Sequence, residues 1–394
     1  MNKKKMLINK FIEVYGGNES ELRVFASPGR VNLIGEHTDY NGGYVFPAAL
    51  DMNSYVVVRP RNDRFIQMMA TDIGELVTVS LDDLEAAKKL KWGNYQAGVA
   101  DELIKHGYNV VGCDMLCHDE VPLGSGLSSS AAIETVTALA LIGAYDIKNN
   151  TKTPLNPVEI AKIGQKAENN FVGVSCGIMD QFSSAMGKKD HVILLNCKDL
   201  SYKLIPLKMD GYSLVITNTN KKRSLAAVKY NERRSQCEQA FEILKRYIPD
   251  ATCLGDITQE MFNVFGKNIK NDILYKRAKH VITEDDRVLK SVEALQSNDL
   301  AEFGRLMKAS HISLRDDYEV TGEELDALFE IASDIPGVLG SRMTGAGFGG
   351  CNVSLVENKA IDKFTQIITE KYKERIGYDC TVYTTSIGDG GREL

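Results

Sequence analysis

The chain has 394 residues, 43% of them hydrophobic and 25% charged, which is a globular composition and a length too great for one compact core. Its formal net charge of -6 argues against a nucleic acid or an anionic membrane as a partner, because both attract strongly basic surfaces. No run approaches the roughly twenty apolar residues that a membrane span needs.

Cysteine usage and the first residues bear on the cellular compartment. The eight cysteines are scattered, form no C-x-x-C pair and sit mostly among apolar residues. Free, buried thiols in a reducing compartment are therefore expected. The basic residues 1–5 precede an apolar stretch that is too short for the core of a signal peptide. The sequence predicts a cytoplasmic protein.

A turn-rich segment with several charges follows the first predicted helix and strand. Residues 6–15 have helical periodicity, and residues 22–26 have the pattern of a strand. The next twenty residues combine turn formers and apolar residues with four ionisable side chains: Arg30, Glu36, His37 and Asp39. Charged groups this close to apolar neighbours usually face a cleft, and carboxylates beside an imidazole can bind several hydroxyl groups at once. The alternative is an ordinary solvated loop.

Strands and one helix are predicted next. The strand patterns cover residues 44–60, 65–70 and 76–80. A helix over residues 92–106 opens at Trp92, the only tryptophan. A lone tryptophan is most often a core residue, and the alternative is that it lines an adenine pocket. Residues 110–117 then form a predicted strand.

Residues 122–134 form a glycine and serine loop that passes directly into a helix. Gly124 and Gly126 permit backbone angles that other residues rarely adopt. The hydroxyls of Ser128, Ser129 and Ser130 meet the free N–H groups of the helix start. The helix over residues 131–145 is almost wholly apolar, so we expect it to be buried with its positive end towards the loop.

This loop has the features of an anion site, and a polyphosphate is its natural occupant. It lacks the lysine of the G-x-x-x-x-G-K-[ST] phosphate loop. Backbone dipoles, hydroxyls and a metal ion would therefore hold the anion. Glu134 in the first turn of the helix supports this interpretation. The alternative is a serine-capped core helix without a ligand.

One further carboxylate stands out before the middle of the chain. An amphipathic helix is predicted over residues 157–170, and Asp180 follows Gly173 and Gly177 among apolar residues. A carboxylate in apolar surroundings needs a partner or a chemical role. The alternative is that Asp180 caps a short helix.

The second half is predicted to contain strands, long helices and a second glycine run. A hairpin at 191–196 and 202–207 precedes a boundary that divides the chain into domains 1–208 and 209–394. Predicted helices lie at 226–247, 273–296, 299–310, 322–333 and 361–372, and predicted strands lie at 212–217, 352–356 and 380–385.

The glycine run matches G-x-G-x-x-G at Gly345, Gly347 and Gly350, the pattern of dinucleotide-binding dehydrogenases. That fingerprint leaves a strand and opens a helix, whereas this run follows a predicted helical region and opens a strand. We therefore expect a flexible flap that packs against the first glycine loop or a bound phosphate.

Taken together, these motifs resemble the GHMP kinases, and within them the galactokinase family. Three blocks carry the resemblance in the family's order: residues 28–47, 122–134 and 344–351. The core of the first block, GEHTDYNGG from Gly35 to Gly43, is specific to galactokinases and their closest relatives. The segments CGIMDQ from Cys176, WGNY from Trp92 and YNERR from Tyr230 match as well.

The resemblance implies an α/β (α+β) fold with two domains and a site between them. The N-terminal domain would be like domain 2 of ribosomal protein S5, and the C-terminal domain would be ferredoxin-like. The implied reaction transfers the γ-phosphoryl group of ATP to the anomeric hydroxyl of α-D-galactose, with Mg²⁺ as cofactor, in galactose metabolism. A monomer is expected.

The resemblance also implies roles for individual residues. Arg30 and Asp180 would be the catalytic pair, with Asp180 either taking the proton of the sugar hydroxyl or only orienting it. Ser130 and Glu134 would hold magnesium. The sugar pocket would be formed by Glu36, His37, Asp39, Gly177 and Tyr230. The nucleotide would be bound by Trp92, Tyr95, Gly124, Ser125, Gly126, Leu127, Ser128, Ser129 and Ser130.

Two other functions remain open on the sequence. Relatives with nearly the same motifs phosphorylate N-acetylgalactosamine, and the choice depends on room beside the sugar 2-hydroxyl. Other relatives bind sugar and ATP only to signal, and those lose small residues after the serine run. Ser130, Ala131 and Asp180 are intact here, which favours an enzyme.

Overall fold

The computed structural model describes residues 2–122, 124–174, 176–221 and 226–394. Leu123 and Ser175, which belong to the glycine and serine loop and to the segment before Asp180, lie outside the described residues. The described helices are α1 Lys3–Tyr15, α2 Gly93–Lys105, α3 Ser129–Asn149, α4 Pro157–Lys166, α5 Met179–Met186, α6 Ala226–Lys245, α7 Gln259–Phe265, α8 Asp272–Gln296, α9 Leu300–Ser313, α10 Glu323–Ser333 and α11 Ile361–Ile376.

The strands of the described ranges form three sheets. The strands are β1 Arg23–Asn32, β2 Tyr44–Val45, β3 Pro47–Pro60, β4 Phe65–Ala70, β5 Glu75–Ser80, β6 Cys113–Asp119, β7 His191–Asn196, β8 Tyr202–Pro206, β9 Tyr212–Asn218, β10 Val338–Thr344, β11 Cys351–Glu357, β12 Thr381–Thr385 and β13 Arg392–Glu393. The sheet orders are β13-β1-β3-β6-β4-β5, β10-β11-β9-β12 and β2-β7-β8.

Helix α3 packs against the first sheet, which fixes the position of its N-terminus at the glycine and serine loop. It is long and apolar enough to cross a membrane by length and composition alone, contrary to the expectation that no such run exists. However, 78% of its most apolar window is buried inside the fold, which is typical of a core helix. The prediction that this helix is buried is confirmed.

The second half of the chain packs helices on the four-stranded sheet. One hydrophobic cluster brings α10 and α11 against β9 through Val215, Leu328 and Phe364. The turn-rich residues 33–43, which include Glu36 and Asp39, are called the acidic segment. Another cluster contains residues of both halves, among them Leu33 of the acidic segment and Val288 of α8. The chain end returns to the first half, where β13 pairs with β1. The boundary at residues 208 and 209 stays a prediction.

Two local structures differ from the sequence-based expectation. Strand β1 continues to Asn32, so Arg30 lies on a strand and not in a turn, and an irregularity between Pro28 and Arg30 accommodates the proline and glycine. The second glycine run joins β10 to β11 in a hairpin, so the expectation that it follows a helix was wrong. It still opens a strand and not a helix, which is the feature that separates it from a dinucleotide fingerprint.

Two short π-helices extend α-helices at positions that prove important. Residues Ala167–Val172 extend α4, and residues Leu314–Tyr318 extend α9. Such widened turns are rare and occur frequently at functional sites. Glu168 and Tyr318 lie in these two turns.

Candidate functional site

A cavity of about 380 Å³ brings most of the predicted site residues together between the two halves. The predicted residues that line it are Arg30, Glu36, His37, Asp39, Gly124, Gly126, Ser128, Ser129, Ser130, Gly177, Asp180 and Tyr230. They come from β1, the acidic segment, the glycine and serine loop, and the starts of α3, α5 and α6. Residues that are far apart in sequence therefore share one solvent-accessible space.

Asp180 is held by hydrogen bonds from two sides. Arg30 donates to Oδ1 of Asp180 from Nε, and its Nη2 lies 2.8 Å from the same oxygen. Ser128 donates its hydroxyl to Oδ2. Asp180 lies in the first turn of α5, where Ile178 is the N-cap, so Asp180 is not the capping residue. Since 30% of its side chain is still exposed, a bound molecule can reach it.

The acidic segment is buried and is not a solvated loop. Glu36 is only 1% exposed. Its Oε1 accepts from the backbone N–H of Gly345 at 2.6 Å and from Arg342 at 3.4 Å, and its Oε2 accepts from Asn32 at 2.6 Å. The second glycine run therefore packs against the acidic segment and ties the two halves together at the cavity.

His37 is buried and uncharged in the cavity wall. Its backbone has φ 64°, a left-handed conformation that is uncommon for residues other than glycine. Burial lowers the pKa of His37 to about 3, and the charges of His280 and two arginines act in the same direction against the nearby backbone of Ala346. Its ring lies 5.7 Å from that of Tyr230. A neutral imidazole here can form hydrogen bonds without an added charge.

Asp39 and Gly177 are in direct contact across the cavity. A Cβ atom on Gly177 would overlap the Asp39 carboxylate, so glycine is required at this position. Burial raises the pKa of Asp39 to about 7, and the nearby Asp180 adds to the shift. The Asp39 carboxylate is largely shielded from water but lines the cavity, so it can accept hydrogen bonds from the hydroxyl groups of a ligand.

The glycine and serine loop leaves the N-terminus of α3 open. Gly124 and Gly126 have φ 70° and 84°, as predicted for this loop. Ser128 occupies the N-cap position with φ 60°, but its side chain makes no capping hydrogen bond because it donates to Asp180. The N–H groups at the start of α3 are therefore available to an anion.

Two predicted loop residues face the interior of the protein. Ser125 is buried, and its hydroxyl donates to the carbonyl of Pro122 at 2.6 Å. Leu127 belongs to a hydrophobic cluster, and its carbonyl accepts from the backbone N–H of Arg30 at 2.9 Å. These side chains shape the loop and do not line the cavity, so their contact with a nucleotide stays a prediction.

A second cavity, of about 320 Å³, adjoins the first through Ser129 and Ser130. Trp92 and Tyr95 line it, together with Ile133 of α3. The indole Nε1 of Trp92 is buried and has no hydrogen-bond partner in the described part of the chain. An apolar space with aromatic walls next to an anion site fits a purine base beside its phosphates.

Two buried glutamates lie behind Ser130. The Nε2 of Gln181 donates to Glu134 at 2.9 Å and to Glu168 at 2.7 Å. Burial raises the pKa of both carboxyl groups, to about 7 for Glu168. The charge of Glu168 adds to the shift of Glu134, and the charge of Asp180 adds to the shift of Glu168. Oε1 of Glu134 has no partner within the described ranges. Glu168 lines the first cavity, whereas Glu134 does not. Because α3 begins at Ser129, Glu134 lies in its second turn, so the prediction of a first-turn glutamate was wrong.

These oxygen groups fit a hard divalent cation. Ser130 forms a hydrogen bond that stabilises the Glu168 carboxylate, and a cation would relieve the repulsion between the two glutamates. No cluster of three or more histidine, cysteine or acidic side chains suited to a metal occurs among the described residues. Magnesium commonly takes only one or two carboxylates and completes its shell with water and phosphate oxygens. Glu168 was not recognised from the sequence, where it is one of several charges on an amphipathic helix.

Comparisons with known proteins identify the family. Residues 9–60 match the galactokinase galactose-binding signature. Residues 94–188 and 291–374 match the N-terminal and C-terminal domains of GHMP kinases. The chain is 49% identical to the galactokinase of Clostridium acetobutylicum over 392 residues, which is 99% of this chain and 98% of the relative. The chain belongs to the galactokinase family.

Other galactokinases support this membership. The galactokinase of Halalkalibacterium halodurans is 46% identical over 391 residues, covering 99% of this chain and 98% of the relative. The crystal structure of Lactococcus lactis galactokinase complexed with galactose matches with a TM-score of 0.93 and 39% identity, covering 99% of this chain and 100% of that one. The predicted α/β fold with two GHMP kinase domains is confirmed, and membership makes ATP the expected phosphoryl donor.

Proposed function

We propose that this protein is a galactokinase that transfers the γ-phosphoryl group of ATP to the anomeric hydroxyl of α-D-galactose. The observation that carries the proposal is one cavity in which Asp180 and Arg30 lie between the acidic segment and the open start of α3. The acidic segment suits a polyhydroxylated ligand, and the helix start suits a polyphosphate. The galactose-bound relative supports galactose as the acceptor.

The sugar would be oriented by buried polar groups of the acidic segment. Glu36, His37 and Asp39 offer carboxylate oxygens and an imidazole to its hydroxyls, and Tyr230 covers it from α6. Each of these groups is fixed by packing or hydrogen bonds, so few degrees of freedom are lost on binding.

Asp180 would take the proton of the anomeric hydroxyl as that oxygen attacks the γ-phosphorus. Its two oxygens accept hydrogen bonds from Arg30 and Ser128, which fixes the carboxylate. A carboxylate held in this way can accept the proton of a bound hydroxyl group. Arg30, 4% exposed, carries a positive charge that also offsets the charge of the transferring phosphoryl group. Positioning and charge neutralisation are the main demands of phosphoryl transfer.

The phosphates would lie on the N–H groups of the loop and of the α3 start, with the base between Trp92 and Tyr95. Ser130 and Glu168, supported by Glu134, would hold Mg²⁺. When bound, this ion neutralises charge on the phosphate oxygens.

We also propose that the protein acts as a cytoplasmic monomer. All eight cysteines lie in the described ranges and are free thiols, which supports a reducing compartment. A single chain supplies the acidic segment, the glycine and serine loop, Arg30 and Asp180, which supports a monomer.

A coupled ADP-release assay with a panel of acceptors tests the function. Galactose, N-acetylgalactosamine, glucose, mevalonate and homoserine are each supplied with ATP, with and without Mg²⁺. Galactose is expected to give the highest kcat/KM, and removal of Mg²⁺ is expected to abolish turnover. A higher kcat/KM with N-acetylgalactosamine would identify the alternative kinase, and binding of galactose and ATP without ADP release would identify a sensor.

A further inference from the structure

A chain of hydrogen bonds runs from the sugar cavity into the core of the second half. Nδ1 of His37 lies 2.8 Å from the hydroxyl of Tyr40, which lies 2.8 Å from the hydroxyl of Tyr318. The hydroxyl of Tyr318 lies 3.0 Å from the sulfur of Cys237. His37 and Tyr40 line the cavity, whereas Tyr318 and Cys237 are fully buried behind it.

Several backbone and side-chain contacts hold Tyr318 in one position. It ends the π-helix that extends α9, and the next residue, Glu319, has φ 56°. Arg233 donates to the carbonyl of Tyr318 at 2.8 Å, and the guanidinium of Arg277 lies 5.9 Å from the ring centre. Its ring also lies 4.8 Å from that of His37. A π-helix, a residue with positive φ and buried arginines all cost folding free energy. They are expected where the position of a side chain matters for function.

The donor and acceptor strengths of these four groups set the direction of the hydrogen bonds between them. An imidazole nitrogen is a good acceptor, whereas a thiol is weak both as donor and as acceptor. The strongest arrangement therefore has Tyr318 donating to Tyr40 and Tyr40 donating to Nδ1 of His37. A neutral imidazole whose Nδ1 accepts carries its proton on Nε2. Nε2 of His37 is buried in the cavity wall and makes no hydrogen bond in the described part of the protein. The backbone of Ala346, which also lines the cavity, lies near the ring, so a bound sugar oxygen would replace it as the acceptor of this proton.

We propose that Tyr318 is a positioning residue for galactose: through Tyr40 it keeps the proton of His37 on Nε2, from which His37 donates to a sugar oxygen. The proposal rests on the proposed function, because it takes galactose as the occupant of the cavity. Without the Tyr318 hydroxyl, the oxygen of Tyr40 lacks a donor and competes for a proton on Nδ1, which would deprive the sugar of a hydrogen bond.

Substitution Tyr318→Phe, with Tyr372→Phe as control, tests the proposal. Tyr372 is also fully buried in the second half, and its hydroxyl donates to the carbonyl of Thr219 at 2.9 Å. Tyr318→Phe is expected to raise the KM for galactose about fivefold to tenfold, as for the loss of one hydrogen bond, and to leave the KM for ATP unchanged. Tyr372→Phe is expected to leave both values unchanged.

Nitrogen-15 NMR reads the protonation of the ring directly. The chain has six histidines, so the His37 signals can be assigned by their loss in His37→Gln. In the unsubstituted protein Nε2 should carry the proton, and in Tyr318→Phe the proton should shift towards Nδ1. An Nδ1–H form in the unsubstituted protein, an unchanged KM for galactose, or equal effects of the two tyrosine substitutions would each overturn the proposal. A protein that fails to phosphorylate galactose would overturn the proposed function, while the NMR result would still test the hydrogen-bond chain.

Discussion

Arg30 and Asp180 are 150 positions apart in the sequence, yet Nε of Arg30 lies 2.8 Å from Oδ1 of Asp180. Strand β1 carries the arginine, and the first turn of α5 carries the aspartate. Arg30 also donates to the carbonyl of Gly126 at 2.7 Å. One guanidinium thus joins the proposed base to the glycine and serine loop and fixes their relative position, and phosphoryl transfer depends mainly on such positioning.

Replacing Asp180 by alanine is expected to lower kcat at least about a thousandfold, because general-base catalysis and the alignment of the hydroxyl are lost together. Calorimetry should still detect galactose binding through the acidic segment. Asp286→Ala is a suitable control, because Asp286 pairs with Lys290 on the exposed side of α8. Undiminished turnover in Asp180→Ala would refute the role assigned to this residue.

The pKa of about 7 for Asp39 predicts a pH dependence of sugar use. Below pH 7 the Asp39 carboxyl group of the free enzyme is protonated and accepts fewer hydrogen bonds from the sugar hydroxyls. The kcat/KM for galactose should therefore fall by up to about tenfold for each pH unit below 7. Asp39→Asn should have lower activity and lose this dependence. A flat profile between pH 5.5 and 8 in the unsubstituted protein would contradict the assignment.

The same carboxyl group affects stability in the opposite direction to most carboxylates. The folded protein binds its proton near pH 7, whereas the unfolded chain binds it only near pH 4. The contribution of Asp39 to the free energy of unfolding is therefore largest below pH 4 and is lost as the pH rises through 7. Asp39→Asn should remove this term, which urea denaturation at several pH values can measure.

Gly177→Ala should weaken galactose binding, because the new Cβ atom would displace the Asp39 carboxylate. We expect the KM for galactose to rise at least tenfold, the loss of about one hydrogen bond to a charged group. The KM for ATP should change little. The control is Gly74→Ala, where a Cβ atom meets nothing within 4 Å and any cost is confined to local backbone strain. Equal galactose KM values in the two variants would contradict the contact.

Arg342 is predicted to hold the two halves of the site together. It is fully buried, and its Nη1 donates to the carbonyl of Asn32 at 2.9 Å and to Glu36 at 3.4 Å. Arg342→Met leaves the Glu36 carboxylate buried without its counter-charge, which should lower the free energy of unfolding by about 3 kcal/mol. Arg305→Met, which breaks an exposed pair with Glu302, should cost less than about 1 kcal/mol in the same denaturation experiment.

The sequence was most informative where one short segment carries both the backbone geometry and the chemistry. The glycine and serine loop, the buried helix after it and the acidic segment are of this kind, since turn formers and charges adjoin apolar residues there. Arg30 was placed in a segment rich in turn formers, but pairing with β3 keeps this part of the segment extended. Long-range pairing of this sort overrides local turn preference.

The residues that the sequence did not indicate act across the fold. Glu168 is one charge on an amphipathic helix until the π-helix turns it towards Ser130 and Gln181 brings it beside Glu134. Tyr318 and Arg342 lie about 300 positions from the segment they support, and no local pattern distinguishes them from core residues. Such pairings depend on tertiary packing, which periodicity does not encode.

The most direct test of the central claim is phosphorus-31 NMR of the product formed from equal amounts of galactose and Mg²⁺-ATP. The account predicts that the γ-phosphoryl group appears on the anomeric oxygen of galactose, with ADP formed in equal amount, and that Asp180→Ala prevents this. Phosphate released to water, phosphate on another hydroxyl, or no reaction at all would contradict it.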